Sequence, residues 1–192
     1  SAVAAVGGTV YLGCGSTLEA WDASVPAAPV RRAALRLPGL IEDLVATNGW
    51  VYAAAGAAGV QIVQAASSTQ LVLRATYDTT GHARRLALAA DRLYLADTLG
   101  GVRVLNVALP AAPTLAGAYA TTGPALSVAA VPPRLLVLDG QRGLQNLHAT
   151  DPAALSVTGA YARVTAGRAL LPAAGAAYVA DASARLLKLS TA

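Results

Sequence analysis

Short apolar runs of four to six residues alternate along this chain with clusters of Gly, Pro, Asp and Asn. Runs of this length, bounded by turn residues, predict strands joined by tight turns rather than helices. Residues 85–119 predict four such strands, at positions 85–88, 93–96, 102–107 and 114–119. The alternation of Val102 and Val104 with Arg103 is typical of a half-buried strand.

The four-strand pattern repeats with a period of 42 residues. One apolar position recurs five times at intervals of 42, at Leu18, Val60, Val102, Leu144 and Leu186. The centre of the second strand recurs at 11, 52, 94, 136 and 178, at intervals of 41, 42, 42 and 42. Four-stranded units of this period are typical of β-propeller blades.

The repeat therefore predicts an all-β fold, a single β-propeller domain of about five four-stranded blades. The blades are predicted at about 1–39, 40–81, 82–123, 124–167 and 168–192, so that the last blade lacks its outer strand. We expect a strand from a partner to complete this open blade. Because the chain opens on Ser1 rather than Met, a removed leader and a larger N-terminal region both stay open.

Composition narrows the function classes. The chain is 55% hydrophobic and 12% charged, with 47 alanines and neither Phe nor Met. Its net charge of +4 comes without a basic run, so we expect no nucleic-acid partner. Two uncharged stretches, 44–73 and 104–133, are interrupted by Gly, Pro and polar residues and predict no membrane span. The single Cys14 excludes an internal disulfide and a multi-Cys zinc site.

The third unit resembles the LVIVD-repeat family of bacterial and archaeal propeller proteins. The likeness is carried by residues 101–107, 110–113 and 115–119 and by the run Leu93-Tyr94-Leu95-Ala96-Asp97. Units four and five match in part, whereas units one and two carry Cys14 and Ala55 where the family has Asp. The resemblance implies an exported protein, periplasmic or at the cell surface, and it implies no common reaction.

Charged side chains at the start of the predicted innermost strands form the candidate ligand site. Innermost strands line the axial channel of a propeller, so these positions are expected to surround its mouth. One hypothesis is a salt-bridge network between neighbouring blades. The other is a site for an anion or a carboxylate at the arginines, whose forked donors suit such a ligand. The candidate residues are Glu42, Asp43, Arg84, Arg85 and Arg168.

Other polar residues predict structural roles. Asp97, Asp139 and Asp181 each follow the second strand of a unit, and their loops offer no second acid. Calcium takes six to eight oxygen ligands, so we predict that these carboxylates bond backbone N–H groups and hold no metal. His82 and His148 have no acid at metal-ligand spacing and are predicted to be surface histidines. The alternative for His82, which precedes the first strand of its unit, is that it joins the ring of charged residues at the channel mouth.

Two tryptophans are candidate partner-binding residues. Trp21 occupies a position that is aliphatic in other units, and Trp50 precedes a predicted strand. Tryptophan is enriched at interaction surfaces, and core or edge packing is the alternative. We predict a non-enzymatic binding or scaffolding module without a cofactor, a structural subunit that interacts with other proteins. The alternative is a propeller enzyme or a binder of small anions at the channel mouth, which requires clustered acids and bases.

Overall fold

Five antiparallel sheets follow one another along the chain in the computed structural model. The structure describes residues 1–47, 49–162, 164, 167–173, 176–181 and 186–190. Strands pair in chain order within every sheet, because each is joined to the next by a short connection that favours antiparallel neighbours.

The strands fall into five groups. The first sheet holds β1 (Ala2–Val6), β2 (Thr9–Cys14), β3 (Thr17–Asp22) and β4 (Val30–Arg36). The second holds β5 (Asp43–Thr47), β6 (Trp50–Ala54), β7 (Val60–Ser67) and β8 (Gln70–Tyr77). The third holds β9 (Arg85–Ala89), β10 (Arg92–Ala96), β11 (Val102–Asn106) and β12 (Thr114–Tyr119). The fourth holds β13 (Ala125–Val131), β14 (Arg134–Asp139), β15 (Gly143–His148) and β16 (Ser156–Tyr161). The fifth holds β17 (Gly167–Ala173), β18 (Ala176–Asp181) and β19 (Leu186–Ser190).

The predicted all-β architecture of repeated four-stranded sheets is confirmed for the first four sheets. Strands of the third sheet differ from the predicted bounds by one residue at β9, β10 and β11 and not at all at β12. The fifth sheet has three strands among the residues described, and β17 begins at Gly167, one residue before the predicted unit boundary.

A β-bulge recurs where the third strand pairs with the fourth in each four-stranded sheet. The pairing shifts immediately after Ala20, Ile62, Val104 and Asn146, which lie 42 residues apart. The extra residue lies in the fourth strand each time, and a bulge bends a strand and increases its local twist. The repeat in the sequence is therefore also a repeat in backbone geometry.

Glycine is required at the turn between the second and third strands. Gly101 has φ +75°, and a Cβ there would lie less than 3.0 Å from the carbonyl oxygen of Tyr119. Gly59 and Gly143 adopt the same conformation at the equivalent positions of their units. A residue with a side chain is strained at such φ values, so these turns need glycine.

The chain divides into two compact units, each with its own apolar core. The first comprises Ser1–Leu86 with Leu109–Pro113, and the second comprises Ala87–Ala108 with Thr114–Ala192. Small and branched side chains fill the space between adjacent sheets in each unit, as the Ala-, Val- and Leu-rich composition predicted. No helix in the described ranges is both long enough and apolar enough to cross a membrane.

Candidate functional site

The charged residues predicted at the channel mouth lie in and beside the first strands of their sheets. Asp43 begins β5 with Glu42 just before it, and Arg85 begins β9 with Arg84 just before it. Within the first compact unit the structure brings these two positions together, because Arg85 reaches the backbone of Glu42. The side chain of Arg168, the fifth predicted member, lies outside the described part of the structure.

Arg85 binds backbone oxygens rather than carboxylates. Its Nη1 donates to the carbonyl oxygen of Glu42 at 3.1 Å and to that of Arg84 at 3.0 Å. No ion pair within 4.0 Å among the described residues joins either acid to either arginine. The contact between these strand starts is thus made by hydrogen bonds to the main chain, in place of the salt-bridge network that was one of the two hypotheses.

Asp43 fastens the two strand starts to each other. Its Oδ2 accepts a hydrogen bond from the backbone N–H of Leu86 at 2.8 Å. Burial raises the pKa of the Asp43 carboxyl, while the Leu86 N–H and the charge of Arg85 act in the opposite direction. The Asp43 carboxylate therefore holds the start of β5 to Leu86 within the first compact unit.

His82 joins the cluster through Glu42. Its Nε2 contacts Oε1 of Glu42, with 47% of the His82 side chain and 32% of the Glu42 side chain exposed. The imidazole lies against Gly56, where a Cβ would come within 2.8 Å of the ring. Gly56 and Ala83 exchange two backbone hydrogen bonds of 3.1 and 3.0 Å, which hold His82 in place. The sequence predicted a surface histidine, and His82 is exposed. Its contact with Glu42, 40 positions away in sequence, was not predicted.

Arg84 has no side-chain partner among the described residues. Its side chain is half-buried, and it makes no hydrogen bond or ion pair with the residues described. A guanidinium group carries five donors and keeps its charge at all ordinary pH values. Arg84 is therefore the group in this cluster that an anion could engage.

The aspartates that follow the second strands are bound within the fold. Asp139 is fully buried, and its carboxylate accepts four backbone hydrogen bonds of 2.7 to 3.0 Å. Burial alone would raise its pKa, but the backbone donors outweigh burial and lower it. Asp97 accepts a hydrogen bond from Nε of Arg103 at 3.1 Å. The side chain of Asp181 lies outside the described residues.

Two of the four donors to Asp139 come from its own turn, as the sequence predicted, and two from another loop. Gln141 and Arg142 belong to the turn after β14, whereas Thr122 and Gly123 precede β13. Across the described ranges, no three His, Cys, Asp or Glu side chains form a group that could hold a metal ion.

The two tryptophans are both half-buried and both lie in the first compact unit. Glu19 of β3 accepts two side-chain hydrogen bonds. Its Oε2 accepts from Nε1 of Trp21 at 2.9 Å, and its Oε1 accepts from Nη1 of Arg31 on β4 at 2.8 Å. These two hydrogen bonds, that from Arg31 first, lower the pKa of Glu19. Trp50 begins β6, where it pairs with Thr47 and Gln64.

An exposed apolar surface on the fifth sheet was not predicted. Leu171 and Leu186 are 66% and 70% exposed, respectively. Together with neighbouring side chains they line a shallow hollow of about 520 Å³, whose walls are Ala169, Leu170, Leu171, Tyr178, Ala180 and Leu186. The repeat contained a signal for it, because these positions correspond to core positions of the fourth sheet.

Comparison with known proteins bears on the fold. No family model matches the chain, and no curated protein matches it. The crystal structure of the computationally designed protein Ika8 matches 99% of this chain with a TM-score of 0.76 at 10% sequence identity. The chain spans 57% of the Ika8 chain. This likeness concerns the fold, which is propeller-like and repetitive. The resemblance to the LVIVD-repeat family stays a prediction.

Proposed function

We propose that the protein is a β-propeller of about five blades, the last without its outer strand, that acts as a non-enzymatic scaffold for binding other proteins. The observation that carries the proposal is the exposed apolar surface around Leu171 and Leu186. Contiguous apolar surface that stays in water is unfavourable, and such patches mark sites of protein interaction. The resemblance to the LVIVD family supports a place outside the cytoplasm, in a periplasmic or cell-surface assembly.

The state of the acidic residues supports a scaffold over an enzyme. Asp43 and Asp139 accept hydrogen bonds from the backbone, and Glu42 contacts His82. A general acid or base must reach a substrate proton within hydrogen-bond distance, and a carboxylate that holds loops together is poorly placed to do so. Of the two acids that the enzyme alternative would use, Asp43 is engaged by the backbone and Glu42 contacts His82.

Site-specific photo-crosslinking tests the scaffold function. A photoreactive phenylalanine analogue replaces Leu171 in one variant and Leu99 in a control, since Leu99 is an 87% exposed leucine of a turn. We expect crosslinks to polypeptide from position 171 in cells of the source organism, and only background from position 99. Equal yields at the two positions would remove the basis of the proposal.

A second candidate function is the binding of a small anion beside Arg84. The observation that favours it is Arg84, a half-buried arginine whose side chain has no hydrogen-bond or ion-pair partner among the described residues. We expect the substitution Arg84→Ala to abolish heat of binding for a dicarboxylate such as succinate in titration calorimetry. Arg36→Ala, which changes an exposed arginine of β4, is the control. If the unaltered protein gives no heat, or if Arg84→Ala keeps it, this candidate is wrong.

A further inference from the structure

The fourth and fifth sheets pack against each other through an apolar interface. The side of the fourth sheet that meets the fifth, called here the forward face, contains Ala129, Leu136, Leu138 and Leu144. The side of the fifth sheet that meets it, called the rear face, contains Leu170, Ala177, Val179 and Leu189. Both sets belong to one apolar cluster, and a Cβ on Gly167 of β17 would strike the side chain of Leu138.

The same interface recurs at equivalent positions in both compact units. In the second compact unit, the forward face of the third sheet contains Tyr94, Ala96 and Val102. These residues belong to the same apolar cluster as the rear face of the fourth sheet. That rear face contains Val128, Leu135, Val137 and Leu147. In the first compact unit, Tyr11 and Leu18 of the first sheet belong to one apolar cluster with the rear face of the second sheet. The rear-face residues there are Leu44, Val51, Ala53 and Val63. A forward face is thus covered by the rear face of another copy of the repeat.

The forward face of the fifth sheet is uncovered. Its members, 42 residues beyond those of the fourth sheet, are Leu171, Tyr178, Ala180 and Leu186. Leu144 is 5% exposed in the fourth sheet, whereas its equivalent Leu186 is 70% exposed. Ala129 is 4% exposed, whereas its equivalent Leu171 is 66% exposed. The hollow described above includes all four members of this forward face in its lining.

The rear face of the first sheet is open as well. Counting back by the repeat from Leu44, Val51, Ala53 and Val63 gives Val3, Val10, Leu12 and Trp21. Val3 is 63% exposed, against 4% for Leu44 at the equivalent position of the second sheet. Val10, Leu12 and Trp21 are half-buried, where their equivalents are buried. One molecule therefore presents both halves of the repeated interface.

We propose that the forward face of the fifth sheet binds the rear face of the first sheet of a second copy of this chain. The proposal deepens the scaffold function and rests on it. The occupant follows from the repeat, because every covered forward face described above meets a rear face of the same pattern.

The contact is head to tail, since the two faces that meet are different. Two copies that close on each other form it twice, and copies that do not close form a longer chain. Either arrangement covers the exposed leucines with a surface built like the molecule's own core.

Sedimentation velocity with the purified protein tests the proposal. The unaltered protein is expected to associate over a concentration series in the micromolar range. Leu171→Asp and Val3→Asp each place a charge in the interface and are expected to weaken association at least tenfold, since burying an unpaired charge is costly. Leu99→Asp, at an exposed turn leucine, is the control and is expected to leave association unchanged.

Mixing the two variants tests the head-to-tail geometry. Leu171→Asp keeps an intact rear face and Val3→Asp keeps an intact forward face, so the mixture is expected to form a one-to-one heterodimer that neither variant forms alone. A monomer at all concentrations overturns the proposal, as does association that survives both substitutions or a mixture that stays monomeric. Crosslinks from position 171 to other proteins in cells, with a monomeric purified protein, would leave the scaffold function standing and overturn only the second copy.

Discussion

Substitution of Asp139 tests the structural role of the buried carboxylates. Asp139→Ala removes the acceptor for the backbone N–H groups of Thr122, Gly123, Gln141 and Arg142. The donor of Gly123 is buried and loses its partner outright, whereas the other three lie nearer to water. Asp139→Asn retains an oxygen for the three donors that share Oδ1 and turns an NH₂ group toward Thr122.

The expected loss of stability follows from how exposed each backbone donor is. A buried donor left without a partner costs about 1–3 kcal/mol, and each donor near water loses about 0.5–1 kcal/mol. Asp139→Ala is therefore expected to lower the free energy of unfolding by about 3–5 kcal/mol. At roughly 2–4 °C per kcal/mol for a chain of this size, the loss in Tm is on the order of 10 °C. For Asp139→Asn the expected loss is about 1–2 kcal/mol.

The stabilisation that the Asp139 carboxylate provides decreases as the pH is lowered. The pKa of Asp139 is lowered in the folded protein, so its ionised form stabilises the fold above the ordinary pKa of about 3.9. This stabilisation is complete at pH 7. It is lost as the pH falls below the ordinary pKa of about 3.9 and through the lower pKa of the folded carboxyl. The gap between the unaltered protein and Asp139→Asn is expected to close over the same range.

Urea unfolding followed by circular dichroism, at pH 7 and at a series of acidic pH values, measures both quantities. Asp91→Ala, at an exposed aspartate of a turn in the same unit, is the control and is expected to change stability by less than about 0.5 kcal/mol. The reasoning is refuted if Asp139→Ala is no less stable than Asp91→Ala, or if the gap for Asp139→Asn does not narrow in acid.

Two further predictions use repeat equivalents as matched controls. Gly117→Ala places a Cβ less than 3.0 Å from the carbonyl oxygen of Pro152, whereas at Gly159 the nearest atom is 4.0 Å away. Urea unfolding is expected to show a loss of about 1–3 kcal/mol for Gly117→Ala and none of that size for Gly159→Ala, and equal losses would contradict the fold at this bulge. Leu144→Ala is expected to cost about 2–5 kcal/mol, because the side chain is buried against the fifth sheet. The equivalent Leu186→Ala, measured in dilute protein, is expected to change stability by less than about 0.5 kcal/mol, and a similar loss in both would show that Leu186 is covered.

The sequence predicted the strands well because two local signals agreed. Glycines at the positions of Gly59, Gly101 and Gly143 end one strand and start the next, and the period of 42 residues repeats the arrangement. The recurrent bulge was not predicted, because it depends on how the fourth strand pairs with the third, and the residues of one strand do not determine that pairing. The bonds from Thr122 and Gly123 to Asp139 were missed for a related reason, since they join two loops that are distant in sequence.

Two of the predicted strand starts do lie together, but their contacts differ from the ion pairs that the sequence suggested. The repeat placed Glu42 and Asp43 opposite Arg84 and Arg85, and charge alone suggested ion pairs. The structure directs Arg85 to carbonyl oxygens and pairs Glu42 with His82, because the geometry of the strand starts decides which donor reaches which oxygen. The exposed face of the fifth sheet was missed since an apolar pattern shows that a position can be covered, and not whether another sheet covers it.

The central claim is that two exposed faces, the forward face of the fifth sheet and the rear face of the first sheet, are binding surfaces. Their side chains occupy the same repeat positions as those of the protein's own core. Hydrogen exchange measured by mass spectrometry at low and high protein concentration tests it most directly. We expect slower exchange at high concentration in peptides of β1–β3 and β17–β19, and no change in peptides of β14 and β15. Exchange in the first and fifth sheets that does not depend on concentration would contradict the claim.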